Sequence, residues 1–188
     1  MLSDMEQAAP RTLYYKRSRF VTHLPVDFLY SPSHCWIAQQ PPSPPALHHS
    51  TTPPIQHSIN PIIHESNNPP VWRVGFTKFS VRMLGEMVDH GFEVQPESPV
   101  QPGQIIGWIE GFKAISDLFC IAEGQFMGGN PALKEKIELV NKDPYGAGWL
   151  YLVKGTPDSR CLDVHGYQQL LDKTIDKILE KQEHEEIK

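Results

Sequence analysis

The segment Ile105 to Cys120 constrains this chain more than any other, because it reads as two short strands folded back on each other. Ile105–Glu110 and Ile115–Cys120 are rich in β-branched and aromatic residues, and only Gly111-Phe112-Lys113-Ala114 separates them. A β-hairpin follows, with Lys113 at its tip. The stem of that lysine is expected to lean on Phe112 and hold the amine away from the body of the fold. Lysine is common on hairpin tips because it is solvated and discourages edge pairing, so position alone does not make it functional. Between two apolar strands it is also a handle open to covalent modification.

The flanking sequence supplies the rest of a small β fold. Pro102-Gly103-Gln104 predicts a turn, since proline presets φ and glycine supplies the conformation other residues avoid. Gly124, Gly128 and Gly129 are expected to break the chain after the hairpin, with Asn130-Pro131 turning into a short helical segment from Ala132 to Leu139. Pro144-Tyr145-Gly146 predicts another turn, and the apolar run Trp149–Val153 a buried strand that closes the sheet. From Asp163 to Lys188, Leu170, Leu171, Ile175, Ile178 and Leu179 recur at helical spacing opposite Lys173, Lys177 and Lys181. That is a helix packed on the barrel, with its last residues, Glu183–Glu186, expected to fray.

Composition excludes several classes of function. The formal net charge of −5 is spread without a basic stripe in the central region, which argues against nucleic acid and membrane surfaces as partners. The short cluster Lys16-Arg17-Ser18-Arg19 reads as a solvated or partner-docking face. No stretch approaches the roughly 18 apolar residues of a transmembrane helix. Acids among the first six residues argue against a secretory signal, and Cys35, Cys120 and Cys161 lack metal-like spacing. Reduced thiols and a cytoplasmic location are therefore expected, with Cys120 a half-buried strand thiol. No nucleophile, base and acid fall into a catalytic pattern, and His23, His34, His90 and His165 are scattered as structural or surface residues.

Residues 41–70 hold nine of the 18 prolines and four of the nine histidines, in a loose and irregular P-x-x-H theme. Such a low-complexity segment is expected to form an extended, partly polyproline-like loop without a core. A metal site there would have to overcome a large ordering cost. Docking of the prolines into an aromatic groove is the other reading, and a tolerated insertion the simplest.

Several motifs together resemble one family. Glu110-Gly111-Phe112-Lys113-Ala114-Ile115-Ser116-Asp117 is similar to the lipoylation hairpin of the glycine cleavage system H proteins, E-S-V-K-A-V-S-D. Val74-Gly75-Phe76-Thr77 and Leu84-Gly85-Glu86-Met87-Val88 resemble that family's V-G-I-T and L-G-D-I-V, and Asn141 to Trp149 carries its N-x-x-P-Y-G-x-G-W signature. Tyr30 to Trp36 is similar to the opening Y-x-x-x-H-E-W, and Gly166 to Leu171 to the closing helix. The resemblance covers residues 28 to 40 and 71 to 171.

It implies a mainly β, flattened lipoyl-domain barrel (a barrel-sandwich hybrid) with short helices and a C-terminal helix. The corresponding division is 1–27 an N-terminal extension, 28–40 the first strand region, 41–70 the Pro/His-rich insert, 71–155 the barrel and 156–188 the helical end. It further implies a non-enzymatic carrier whose cofactor, lipoic acid, is covalently attached to Lys113. Glu110 and Asp117 would be recognition elements for the lipoylating enzyme. The partners would be that enzyme, a glycine decarboxylase, an aminomethyltransferase and dihydrolipoamide dehydrogenase, all in glycine catabolism. Two departures bear on docking: Gly111 replaces the family's serine, and Val88–Glu93 replaces a more apolar V-Y-V-E-L-P. An H-like carrier in lipoate relay or sulfur oxidation, or an unmodified interaction module, are the alternatives. A biotin carrier is disfavoured, since Phe112 and Ala114 flank Lys113 where M-K-M is expected.

Overall fold

The computed structural model describes residues 11–40 and 69–186. The P-x-x-H theme and its histidines lie outside the described residues. The fold is mainly β, with antiparallel pairing throughout. Its strands are β1 (Thr12–Arg17), β2 (Phe20–Pro25), β3 (Leu29–Tyr30), β4 (Cys35–Gln39), β5 (Val71–Phe76), β6 (Met87–Phe92), β7 (Pro99–Val100), β8 (Ile105–Gly111), β9 (Ala114–Phe119), β10 (Ala122–Gly129) and β11 (Tyr151–Pro157). The helices are α1 (Lys78–Leu84), α2 (Leu139–Lys142) and α3 (Val164–Glu186). A six-stranded sheet, ordered β3-β4-β5-β11-β10-β7, faces a three-stranded sheet, β6-β8-β9, and β1 pairs with β2 separately.

Two cores share the larger sheet. Between the sheets, Ile37, Val74, Phe126, Tyr151 and Val153 meet Ile106, Ile109 and Leu118. On the outer face, Trp36 and Ala38 join Tyr15, Phe20, Leu24, Tyr167, Leu171 and Ile175 from the β1–β2 hairpin and α3. Successive strand side chains point to opposite faces, so β4 is buried from Cys35 to Ala38: Cys35 and Ile37 face the barrel, Trp36 and Ala38 the second core. Asp163 starts α3 by accepting the Gly166 amide at 2.7 Å. The helix is assigned through Glu186.

Some local expectations shift. The hairpin strands extend to Gly111 and from Ala114, leaving a two-residue turn, Phe112-Lys113. The glycines after it do not break the chain but lie within β10. Gly124 and Gly155 face each other at φ of 152° and 155°, where the chains approach too closely for a Cβ, and a bulge separates Phe126 from Gly128. The segment after Asn130 divides into a 3-10 turn, Pro131–Lys134, and α2. Strand β11 begins at Tyr151 rather than Trp149. Pro102-Gly103 forms the expected turn, with Gly103 at φ 84° and the Gln104 amide on the Gln101 carbonyl.

The cluster at 16–19 is not simply solvated. It turns the β1–β2 hairpin, with Ser18 at φ 52°, and Arg17 makes a forked pair with Asp176 of α3 at 2.6 and 2.7 Å. Tyr15 adds a 2.9 Å bond to Asp172. The extension is thereby tied to α3 by polar contacts over its apolar contact.

Candidate functional site

Lys113 sits at the β8–β9 tip, and the tip is fastened to the end of α1. Two-residue hairpins favour turns in which glycine or asparagine takes positive φ. Neither Phe112 nor Lys113 has positive φ. Tertiary hydrogen bonds hold this turn instead: the Lys113 amide donates to the Leu84 carbonyl at 3.0 Å and the Phe112 amide to that of Glu86 at 2.9 Å. The Lys113 ammonium donates to the Arg82 carbonyl at 3.2 Å, where the negative end of the helix favours a cation.

The lysine stem does not lean on Phe112, which is 78% exposed. It crosses Gly85 instead, the α1 C-cap at φ 86°, whose absent Cβ would lie 3.1 Å from Lys113 Cγ. Gly111 allows the same closeness from the other side, since a Cβ there would collide with the Leu84 carbonyl. Both glycines therefore seat the lysine against the helix.

The 141–149 signature braces α1 from behind. Asn141 accepts the Met87 amide at 2.9 Å and donates to the Gly85 carbonyl at 3.2 Å, fixing the link that underlies the lysine. The Tyr145 hydroxyl accepts the Lys78 amide at the start of α1, and Trp36 donates to the Pro144 carbonyl at 2.8 Å. Sequence reasoning recognised 141–149 as a motif and Pro144-Tyr145-Gly146 as a turn, which the Gly146 amide closes on the Asp143 carbonyl at 3.2 Å, but it did not foresee these contacts with α1. Asn141→Ala is expected to cost about 1–3 kcal/mol by stranding a part-buried amide and carbonyl, measured by urea unfolding.

Glu110 lies across from Ile115 and Asp117 across from Trp108, so the alternation of the strands puts both carboxylates on one face of the hairpin. Glu110 is half-buried and Asp117 exposed. Among the described residues neither forms an ion pair with Lys113.

Of the three grooves that border α1, two share its Phe79 and Met83. One, of about 400 Å³, is bordered by Lys113, Arg19, Phe20, Arg82, Ile178 and Leu179. The other, of about 220 Å³, reaches His34, Phe76, Asp117 and Phe119. His34 at its edge is held at φ 62°, with Nδ1 3.0 Å from the Tyr167 hydroxyl, and burial pushes its pKa down to about 4. His90 is half-buried beside Phe92, while His23 and His165 are exposed.

Burial also raises the thiol of Cys35 to about 12 and that of Cys161 to about 11. Cys120, fully buried between β9 and β10 rather than half-buried in a strand, is raised likewise. These groups stay protonated and unreactive at neutral pH. Among the described residues no cluster of His, Cys, Asp and Glu could hold a metal ion, and no helix is long and apolar enough to cross a membrane.

Residues 59–177 match the family model described as Glycine cleavage H-protein. The glycine cleavage system H protein of Corynebacterium jeikeium is 32% identical over 150 residues, covering 79% of this chain and 97% of the relative. That of Kocuria rhizophila is 30% identical over 157 residues, 81% of this chain and all of the relative's length (100%). The crystal structure of a glycine cleavage system H protein from Mycobacterium marinum superposes with a TM-score of 0.57 at 30% identity, over 77% of this chain and 95% of that one. Two packed sheets with a lysine-tipped hairpin, in the company of these relatives, define a non-catalytic carrier. The chain belongs to the glycine cleavage H-protein family.

Proposed function

We propose that Lys113 carries a lipoyl group and that this chain is the lipoyl carrier of a glycine cleavage system. The observation that carries this reading is the pose of Lys113: a lone lysine on a two-residue tip, its amine fixed 3.2 Å from the Arg82 carbonyl. Acylation there removes the charge and replaces it with a long arm ending in a dithiolane. Tethering raises the local concentration of that ring at each docked enzyme, so the carrier itself needs no catalytic group.

On this reading a lipoylating enzyme loads Lys113 and reads Glu110 and Asp117 on the adjoining strands. A glycine decarboxylase then charges the arm with an aminomethyl group, an aminomethyltransferase passes its carbon to folate, and dihydrolipoamide dehydrogenase reoxidises the dithiol. Asp117 on the smaller groove supports the aminomethyl step, since a carboxylate suits a cationic amine. Unpaired, protonated thiols accord with a cytoplasmic setting. The domain division given above is part of the same proposal, with the β1–β2 hairpin as an ordered element within 1–27.

Intact mass spectrometry after expression with a lipoylating enzyme tests the attachment. One lipoyl increment is expected in the wild type and none in Lys113→Ala. Reconstitution with the three partner enzymes tests the pathway, through glycine-dependent release of carbon dioxide. A lipoylated protein that supports none would keep the carrier and sink its place in glycine cleavage.

A further inference from the structure

The larger groove beside Lys113 is walled on one side by the β1–β2 hairpin, which lies outside the stretch that matches the family model. Arg19 and Phe20 form that wall, α3 supplies Ile178 and Leu179, and α1 supplies Phe79 and Arg82. The floor is apolar, because Phe20 and Phe79 belong to the second core. The rim is cationic. Arg82 lies 5.7 Å over the Phe20 ring and donates to the Arg19 carbonyl at 2.9 Å, which fixes its guanidinium against the hairpin. Lys113 adds an ammonium to the same rim. Among the described residues neither Arg19 nor Arg82 pairs with a carboxylate, and no Asp or Glu borders the groove. Arg17 is paired, but its partners Asp172 and Asp176 lie off the groove.

We infer that this groove binds a free amphipathic carboxylate of the medium-chain fatty acid class, with its head group between Arg19 and Arg82 and its chain along Phe20, Phe79, Ile178 and Leu179. A guanidinium presents five N–H donors in a plane that matches a carboxylate, and Arg82 uses one of them on the Arg19 carbonyl. A carboxylate at the rim relieves the crowding of like charges, whereas an ammonium head would meet only cations. The chain gains by leaving water for the floor. A small anion such as phosphate would satisfy the rim and leave that floor wet. The groove's volume of about 400 Å³ falls near the lower end of the 300–1,000 Å³ of small-ligand sites, which suits one aliphatic chain. The site is complete with Lys113 unmodified and is independent of the lipoyl reading.

The test uses the full chain, shown by intact mass to be unmodified at Lys113, with carbon-13 labels on isoleucine and leucine methyls. Ile175, Ile178 and Leu179 border this groove and neither of the other two beside α1, so they report on it alone. Octanoate is expected to shift their signals saturably, and each methylene added from hexanoate to decanoate to tighten binding about two- to fourfold. Octanol, which has the chain without the charge, is expected to bind at least about tenfold more weakly. Octylammonium and inorganic phosphate are expected to leave the signals in place. In the double variant Arg19→Gln, Arg82→Gln, octanoate is expected to bind no better than octanol. Saturating octanoate is also expected to slow acetylation of Lys113 by N-hydroxysuccinimidyl acetate relative to exposed Lys173, read by peptide mass.

Methyls unmoved by octanoate, equal responses to octanoate and octylammonium or phosphate, undiminished binding in the double variant, or an unchanged rate at Lys113 would each overturn the inference. If the double variant does not fold, the comparison of head groups on the wild type decides it. None of these outcomes touches lipoyl attachment, which the Lys113→Ala mass tests separately.

Discussion

Replacing Gly111 with valine is expected to lift the hairpin tip off α1, lower stability by about 2–4 kcal/mol and cut lipoylation of Lys113 at least tenfold. The stability cost combines overpacking, about 1–3 kcal/mol, with the weakening of two backbone hydrogen bonds worth about 0.5–1.5 kcal/mol each. A Cβ at this position meets the Leu84 carbonyl, the group that accepts the Lys113 amide, so the tip cannot keep that bond and take a side chain. Displacing the tip also removes the ammonium from Arg82. Urea unfolding and the modified fraction by intact mass are the measurements. Unchanged values for both would show that the contact with α1 does not position the lysine. The family's serine at this place becomes intelligible as a departure: this chain brings hairpin and helix closer than a side chain at 111 permits.

As the pH falls from 6.5 to 4 the protein is expected to lose about 3 kcal/mol of stability through His34 alone, since each tenfold difference in proton affinity between the folded and unfolded chain is worth about 1.36 kcal/mol. The folded imidazole is depressed to about 4 because burial disfavours its charged form, whereas the unfolded chain takes up a proton near 6.5. The unfolded state therefore binds more protons across this window. The contribution is fully present above pH 6.5 and lost as the pH falls to about 4. His34→Asn removes the titration, and asparagine tolerates the positive φ of this position. Urea unfolding at a series of pH values should show the wild type falling more steeply than the variant. Parallel curves would mean that the ring becomes protonated without unfolding.

The hairpin and the 141–149 signature were legible because both rest on short-range chemistry, one on alternating β-branched and aromatic residues and the other on a fixed string of turn formers. Gly124 and Gly128 misled because glycine punctuates loops and also permits close strand pairing, and only the partner strand with Gly155 tells the two apart. The β1–β2 hairpin had a readable signal, the alternation of Tyr15, Phe20, Thr22 and Leu24 toward the core, but its turn of Ser18-Arg19 lacks the usual Asn-Gly marker. The charged cluster drew attention in its place. The seating of Lys113 on Gly85 joins residues 28 positions apart, and no local pattern announces it.

That seating bears on how the chain would be read by an enzyme that modifies it. A lysine on a free peptide samples many rotamers and must be immobilised at each encounter, at about 0.5–1.5 kcal/mol for a side chain of this kind. Here the stem rests against Gly85 and the amine on a helix carbonyl before any enzyme arrives. On the proposed function, the substrate is a surface assembled from α1, the tip and the strand face bearing Glu110 and Asp117. The same sequence cut out as a linear peptide would present the letters without that shape.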